Sequence, residues 1–113
     1  MKKILFLLLL ISSQTFARPV SCRIELFSNP PQIFDGKCDF DTKNIGLKGK
    51  PGSFTLNPIN SKFMDQLNLD ITATGVANAT IFNYKNADFY YNLKRSDRDP
   101  ACWGNSQINV CAK

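Results

Sequence analysis

The chain has 113 residues, a formal net charge of +5 and no histidine. Its length allows one domain, and the absence of histidine excludes Ser-His-Asp and Cys-His catalysis and removes the commonest metal ligand. The positive charge is mild and dispersed, which argues against nucleic-acid binding because that requires a clustered basic face.

The first residues have the pattern of a secretory signal. A basic Met1-Lys2-Lys3 start precedes an unbroken apolar run over 4–11, and Thr15-Phe16-Ala17 then places small residues where a signal peptidase cuts. The apolar run is too short to span a bilayer, which takes about 20 residues. We therefore predict a cleaved signal peptide over 1–17 and one exported domain over 18–113, in the periplasm or outside the cell and without a transmembrane segment.

Four cysteines remain after cleavage: Cys22, Cys38, Cys102 and Cys111. An even number of cysteines in a short exported chain predicts disulfides, and the spacings favour Cys22–Cys38 with Cys102–Cys111 over pairings between the two ends of the chain. Zinc sites usually have closely spaced ligands, so we predict no metal. A lipid anchor on Cys22 is an alternative, but it would leave an odd number of cysteines.

Alternation of apolar and polar residues predicts strands along the exported part. They are expected at 22–26, 33–40, 53–56, 67–73, 76–83, 89–93 and 108–111. Thr74-Gly75 predicts a tight turn within a β-hairpin, and Asp35-Gly36 predicts a turn or bulge in the second strand. Residues 60–65 are expected to form at most one helical turn.

These elements predict an all-β, mainly antiparallel fold. About six or seven short strands with turns between them are typical of a small β-sandwich or barrel, here stapled by disulfides. Between the second and third strands, residues 41–52 read as a loop whose lysines, Lys43, Lys48 and Lys50, are available to an acidic partner.

The densest charged segment runs over 95–100, just before Cys102-Trp103-Gly104. It is either a solvated loop or a recognition loop held at its base by a disulfide, because arginine and tryptophan are favoured at binding hot spots. We select Arg95, Asp97, Arg98 and Trp103 as the candidate contact residues. Beside a cystine, Trp103 is more often a core residue than a contact surface.

No recognisable catalytic constellation, phosphate-binding loop or cofactor motif occurs, so no catalytic residue and no cofactor is predicted. In the aromatic stretch before the charged segment, Tyr90 and Tyr91 should point to opposite faces of one strand. Either one of them is exposed or, as we prefer, both faces of the strand are covered.

Asp35-Gly36-Lys37-Cys38, Gly52-Ser53-Phe54-Thr55-Leu56 and Ala101-Cys102-Trp103-Gly104 resemble segments of small exported bacterial proteins. In general plan the chain is similar to periplasmic lysozyme inhibitors, which combine a signal peptide, a compact β domain and disulfides. This likeness is one of architecture and carries no residue roles.

The leading hypothesis is an exported, non-enzymatic domain that binds another protein or an envelope polymer, as an inhibitor or immunity-type protein. The alternatives are a small secreted toxin or aspartate-dependent envelope hydrolase, and a structural envelope component. The oligomeric state is left open.

Overall fold

The computed structural model describes residues 18–42, 52–84 and 86–113. The expected signal peptide and the lysines of the 41–52 loop lie outside these ranges. Eight strands form: β1 (Arg18–Leu26), β2 (Gln32–Asp41), β3 (Phe54–Asn57), β4 (Gln66–Ala73), β5 (Val76–Asn83), β6 (Asn86–Arg95), β7 (Cys102–Gly104) and β8 (Ile108–Ala112).

Each strand pairs antiparallel with the next, and β8 pairs with β1, so the sheet closes into a barrel. The all-β antiparallel prediction is confirmed, and of its two architectures the molecule has the barrel. The strand that sequence reading missed is β7, which has only three residues and therefore shows no period-two pattern.

Alternation along the strands builds the interior. In β1, Val20, Cys22, Ile24 and Leu26 are buried while most of the residues between them are exposed. The same period continues in β4 and β5, where Leu67 and Leu69 face Ile81 and Ala79 across the pair. Successive side chains of a strand point to opposite faces, so one set from every strand fills the barrel.

Both predicted disulfides are confirmed, and they lie on different sides of the sheet. Cys22–Cys38 joins β1 to β2 and lies in the core, where both residues are buried. Cys102–Cys111 joins directly opposed residues of β7 and β8. Their neighbours Trp103 and Val110 are buried inside, so this second bridge lies on the outer side of the sheet.

Of the two local predictions about chain reversal and bending, the hairpin turn is confirmed and the bend in β2 is wrong. The β4–β5 hairpin turns at Thr74-Gly75, where Gly75 has φ of +69°, a value that glycine adopts without strain. The predicted bend at Gly36 is wrong, because β2 pairs with β1 through this position without a register shift. A Cβ at this position would lie 3.0 Å from the Phe34 ring, so any larger residue would require that ring to shift.

Residues 58–65 contain no helix. The Ile59 N–H donates to the Asp65 carbonyl across the segment, with an N···O distance of 2.7 Å, and Ile59 and Met64 are buried. The segment is therefore a loop without a helical turn, and it contributes two side chains to the core.

Candidate binding site at the mouth of the barrel

One end of the barrel carries two arginines on its inner face. This end, called the mouth below, is where β1 begins and where β6 and β8 end. Arg18 lies two residues before buried Val20, and Arg95 lies two residues after buried Leu93, so both occupy inward-facing positions at the rim.

On the β1 side, Arg18 is paired with Phe40 of β2. The guanidinium carbon lies 4.8 Å from the centroid of the Phe40 ring, and that ring stacks on Phe54 with a centroid separation of 4.6 Å. A cation over an aromatic face is attracted by the ring quadrupole, so the stack fixes this arginine at the wall.

On the other side, Arg95 is paired with Trp103 of β7, and its guanidinium carbon lies 5.2 Å from the indole centroid. The Arg95 Nε–H also donates to the Pro100 carbonyl at 2.8 Å. The side chain is thus held by a ring on one face and by the following loop at its edge.

A cavity of about 440 Å³ opens between these walls. Its lining residues are Arg18, Phe40, Gly52, Phe54, Ile71, Arg95, Pro100, Ala101, Trp103 and Ala112. An adjoining cavity of about 520 Å³ follows the β4–β5 turn and shares Ile71, Arg95 and Trp103 with the first. Among these described residues there are two cations and no carboxylate.

The β6–β7 loop, residues 96–101, borders the mouth and is extensively hydrogen bonded. The Ser96 hydroxyl accepts the N–H groups of Arg98 and Asp99 at 3.1 and 3.2 Å. The Ser96 N–H donates to the Cys102 carbonyl, and the Cys102 N–H donates to the Asp99 carbonyl. These bonds close the loop over the outer disulfide.

Asp99 ties the loop to the chain's last residue. Its carboxylate accepts a hydrogen bond from the Lys113 ammonium and another from the Ala101 N–H. The Lys113 bond, and after it the Ala101 N–H, lowers the pKa of Asp99 below its ordinary value. The loop is therefore held at Ser96, at Asp99 and at Cys102.

The structure brings the four sequence-selected residues to one end of the barrel but gives them different surroundings. Arg95 and Trp103 form the stacked wall described above. Asp97 and Arg98 are exposed on the loop. Trp103 is only 3% exposed, so it supports the mouth from within, as expected for a tryptophan beside a cystine.

Sequence reading missed the β1–β2 half of the mouth. Arg18 was treated only as the residue after the cleavage point, and Phe40 only as the end of a strand. The available signal was the alternation of β1, which, extended back from Cys22, places Arg18 on the inner face. The partner Phe40 follows only from the register of β1 and β2.

Away from the mouth, Arg23 pairs with two carboxylates on the outer wall. Arg23 donates to Asp35 at 2.7 Å and to Glu25 at 3.2 Å. Glu25 also accepts a bond from Asn109. Glu25 is therefore bonded within the outer face of the sheet.

Tyr90 and Tyr91 of β6 point to opposite faces, as predicted, but the preferred expectation that both faces are covered is wrong. Tyr90 packs against the core, whereas Tyr91 is 60% exposed. A register shift between β5 and β6 follows, with Asn92 at φ of +59°, and it restores Leu93 to the interior. This bulge sets which residues of β6 reach the mouth, because it keeps Leu93 and Arg95 on the inner face.

Within residues 18–42, 52–84 and 86–113, no group of three or more Cys, Asp or Glu side chains is placed to hold a metal ion. No helix in these ranges has the length and apolarity needed to cross a membrane.

Comparison of the chain with protein-family models, with curated protein sequences and with solved structures found no match. A function for this chain therefore has to be inferred from its own residues.

Proposed function

We propose that this chain is an exported, non-enzymatic domain that binds a protein of the bacterial envelope, as an inhibitor or immunity-type protein. The observation that supports this most is the β6–β7 loop, which is fixed at several points yet leaves Asp97 and Arg98 exposed. A loop of this kind offers charged contacts in a preset geometry.

Rigidity matters because binding has to overcome the entropy of ordering the contact groups. Immobilising one side chain or loop residue costs about 0.5–1.5 kcal/mol on association. Here the Ser96 hydroxyl, the Asp99–Lys113 pair and Cys102–Cys111 already restrict the loop in the free protein. We infer that most of this cost is met by folding and that the loop binds with little rearrangement.

The four selected residues then divide into two roles. Asp97 and Arg98 are the groups that would contact the partner, with Arg98 supplying a forked donor for a carboxylate. Arg95 and Trp103 are positioning residues, because Arg95 holds the Pro100 carbonyl and Trp103 supports Arg95.

Export is part of the proposal. Two disulfides are typical of proteins from oxidising compartments, and the signal pattern at 1–17 provides the route to the periplasm or the cell exterior. Mass spectrometry of the secreted or periplasmic protein should give an N-terminus at Arg18. An intact Met1 or a lipid on Cys22 would contradict this part.

The contact surface can be tested by site-specific photo-crosslinking. A crosslinker replaces Arg98 in the disulfide-bonded protein, and a matched control replaces Asp88, which is exposed on β6 nearer its start. Incubation with envelope extract should give one protein adduct, identified by mass spectrometry, from position 98 and none from position 88. A polysaccharide adduct, or the same adduct from both positions, would refute the proposed surface.

The affinity of each variant for the purified partner then measures how much the replaced residue contributes to binding. Arg98→Ala and Asp97→Ala should each weaken binding, and the stronger of the two by about tenfold or more, as for a residue near an interface centre. Lys94→Ala, an exposed β6 residue just before the loop, is the control. Binding that survives alanine at Arg95, Asp97, Arg98 and Trp103 would remove the site.

The hydrolase and structural alternatives predict different behaviour of the protein alone. Release of soluble fragments from peptidoglycan by the purified chain would replace the binding proposal with an enzymatic one. Concentration-dependent assembly into large species at neutral pH would favour a structural component.

A further inference from the structure

The cavity inside the mouth has the composition of a small-molecule site. We propose that it binds a small carboxylate with a flat apolar body, the chemical class of the aromatic acids. This goes beyond the protein contact proposed above and does not depend on it: the two sites share Arg95 and Trp103, but Arg18 lies in β1 and is not one of the residues proposed to contact the protein partner.

Charge is the first indication of the ligand. Arg18 and Arg95 line the same cavity, and the described residues that line it include no acid. Nearby Asp99 is paired with Lys113, and Arg23 is paired with Glu25 and Asp35. Two cations facing one cavity create a field that favours an anion.

Geometry is the second indication. The guanidinium carbon lies over an aromatic ring, 4.8 Å from the ring centroid for Arg18 and 5.2 Å for Arg95. Since the Arg95 Nε–H is bonded to the Pro100 carbonyl, the Nη donors are the ones that a ligand would use there. A carboxylate accepts such donors in forked pairs, so it is the group that these two arginines suit best.

The rest of the lining is the third indication. The partly buried Phe40 ring and Ile71 add apolar surface, while Phe54 and Trp103 are largely covered, at 5% and 3% exposed. Gly52, Ala101 and Ala112 are small and leave room between the walls. A cavity of about 440 Å³ lies within the range of about 300–1,000 Å³ found for small-ligand sites.

Position in the fold agrees with this composition. Eight-stranded barrels have an interior that side chains nearly fill or that holds one small ligand. Cleavage after Ala17 would also bring a new α-amino group to Arg18, and this group is largely protonated at neutral pH because its ordinary pKa is about 7.7–8.0.

The chain offers a built-in reporter for a test. Trp103 is its one tryptophan, so the ¹⁵N-labelled mature protein gives a single indole N–H signal from the cavity wall. Titration with 2-naphthoate should move this signal saturably. The uncharged 2-naphthamide should bind about tenfold more weakly or worse, since it lacks the charge-assisted bonds.

Two variants locate the anion. Arg18→Gln should weaken 2-naphthoate binding by about tenfold, and Arg18→Lys should restore part of it, since lysine keeps the charge without the fork. Lys94→Gln removes the same charge from an exposed site next to Arg95 in sequence and should leave binding unchanged. If Arg18→Gln does not fold, the naphthoate-to-naphthamide ratio of the unmodified protein decides alone.

Three results would overturn the inference. They are the absence of a saturable shift, equal affinity for 2-naphthoate and 2-naphthamide, and inorganic phosphate binding as tightly as 2-naphthoate, which would indicate a bare anion site. Arg18→Gln should leave affinity for the protein partner within about twofold, because Arg18 is outside the proposed contact. Failure of one proposal is therefore distinguishable from failure of the other.

Discussion

The two disulfides close loops of similar size in very different surroundings. Cys22 and Cys38 are separated by 16 residues and are buried between β1 and β2. Cys102 and Cys111 are separated by 9 residues and lie on the outer side of β7 and β8, at the base of the charged loop. One bridge therefore occupies core volume, and the other holds a candidate contact segment.

The same covalent bond therefore contributes differently to stability and to loop order, depending on what surrounds it in the fold. Loop-closure entropy alone gives about 3 kcal/mol for the first bridge and about 2.5 kcal/mol for the second, too close to separate them. Surroundings separate them, because removal of the inner bridge also empties part of the packed interior.

Loss of the inner bridge should be the most damaging change. Cys22→Ala with Cys38→Ala should lower the free energy of unfolding by about 3–5 kcal/mol, since a cavity cost adds to the lost chain entropy. Urea denaturation measures this. A loss smaller than that of the outer-bridge variant would contradict the assignment of the inner bridge to the core.

Loss of the outer bridge should destabilise the fold less than loss of the inner bridge, but it should disorder the β6–β7 loop more. Cys102→Ala with Cys111→Ala should lower the free energy of unfolding by about 2–3 kcal/mol. Hydrogen exchange at the amides of 96–102 should accelerate in this variant beyond the change at β1 and β2. Uniform acceleration across the barrel would show that the outer bridge has no special link to the loop.

Removal of the Ser96 hydroxyl should have an intermediate effect confined to the loop. Ser96→Ala deletes the acceptor for two N–H groups and should cost about 1 kcal/mol. Partner affinity should fall with it. Ser28→Ala is the control, because Ser28 bonds the Pro30 carbonyl between β1 and β2, and it should leave partner affinity unchanged.

The Asp99–Lys113 pair should give the smallest effect, visible through its pH dependence. The pKa of folded Asp99 is lowered, so its stabilising contribution is present above the unfolded value of about 3.9 and is lost as the pH falls through the folded value. Thermal melts of Asp99→Asn should show a slightly lower Tm than the unmodified protein at pH 7.

The same difference should vanish once the pH is below the folded pKa of Asp99. Asparagine keeps the acceptor for Ala101, so the comparison isolates the ionic part of the interaction. Asp97→Asn, on the same loop, should leave the Tm unchanged at both pH values. A Tm difference for Asp99→Asn that persists at low pH would show that charge is not its cause.

Prediction from sequence succeeded where a pattern is local and strong. The β4–β5 hairpin follows from unbroken alternation and Thr74-Gly75, and the disulfide pairing follows from two short spacings. It failed at Gly36, where a residue typical of turns serves close packing against Phe34. It also failed at β7, which exists because β6 and β8 pair with it on either side.

The candidate site also contains some residues that the sequence could identify and others that it could not. Arg95, Arg98 and Trp103 could be selected because they are close in the chain to a cysteine. Arg18 and Phe40 could not, because their contribution depends on the register of β1 with β2 and on the closure of β8 against β1. That closure places residues from the two ends of the domain around one cavity.

The sequence by itself determined an all-β domain with two local disulfides, since strand alternation, turn residues and cysteine spacing are properties of neighbouring residues. Only the tertiary structure decided that the sheet closes and that Arg18 and Arg95 share the mouth. Strand pairing joins residues that are distant in the chain, and a shift of one residue in register would turn each arginine to the outer face.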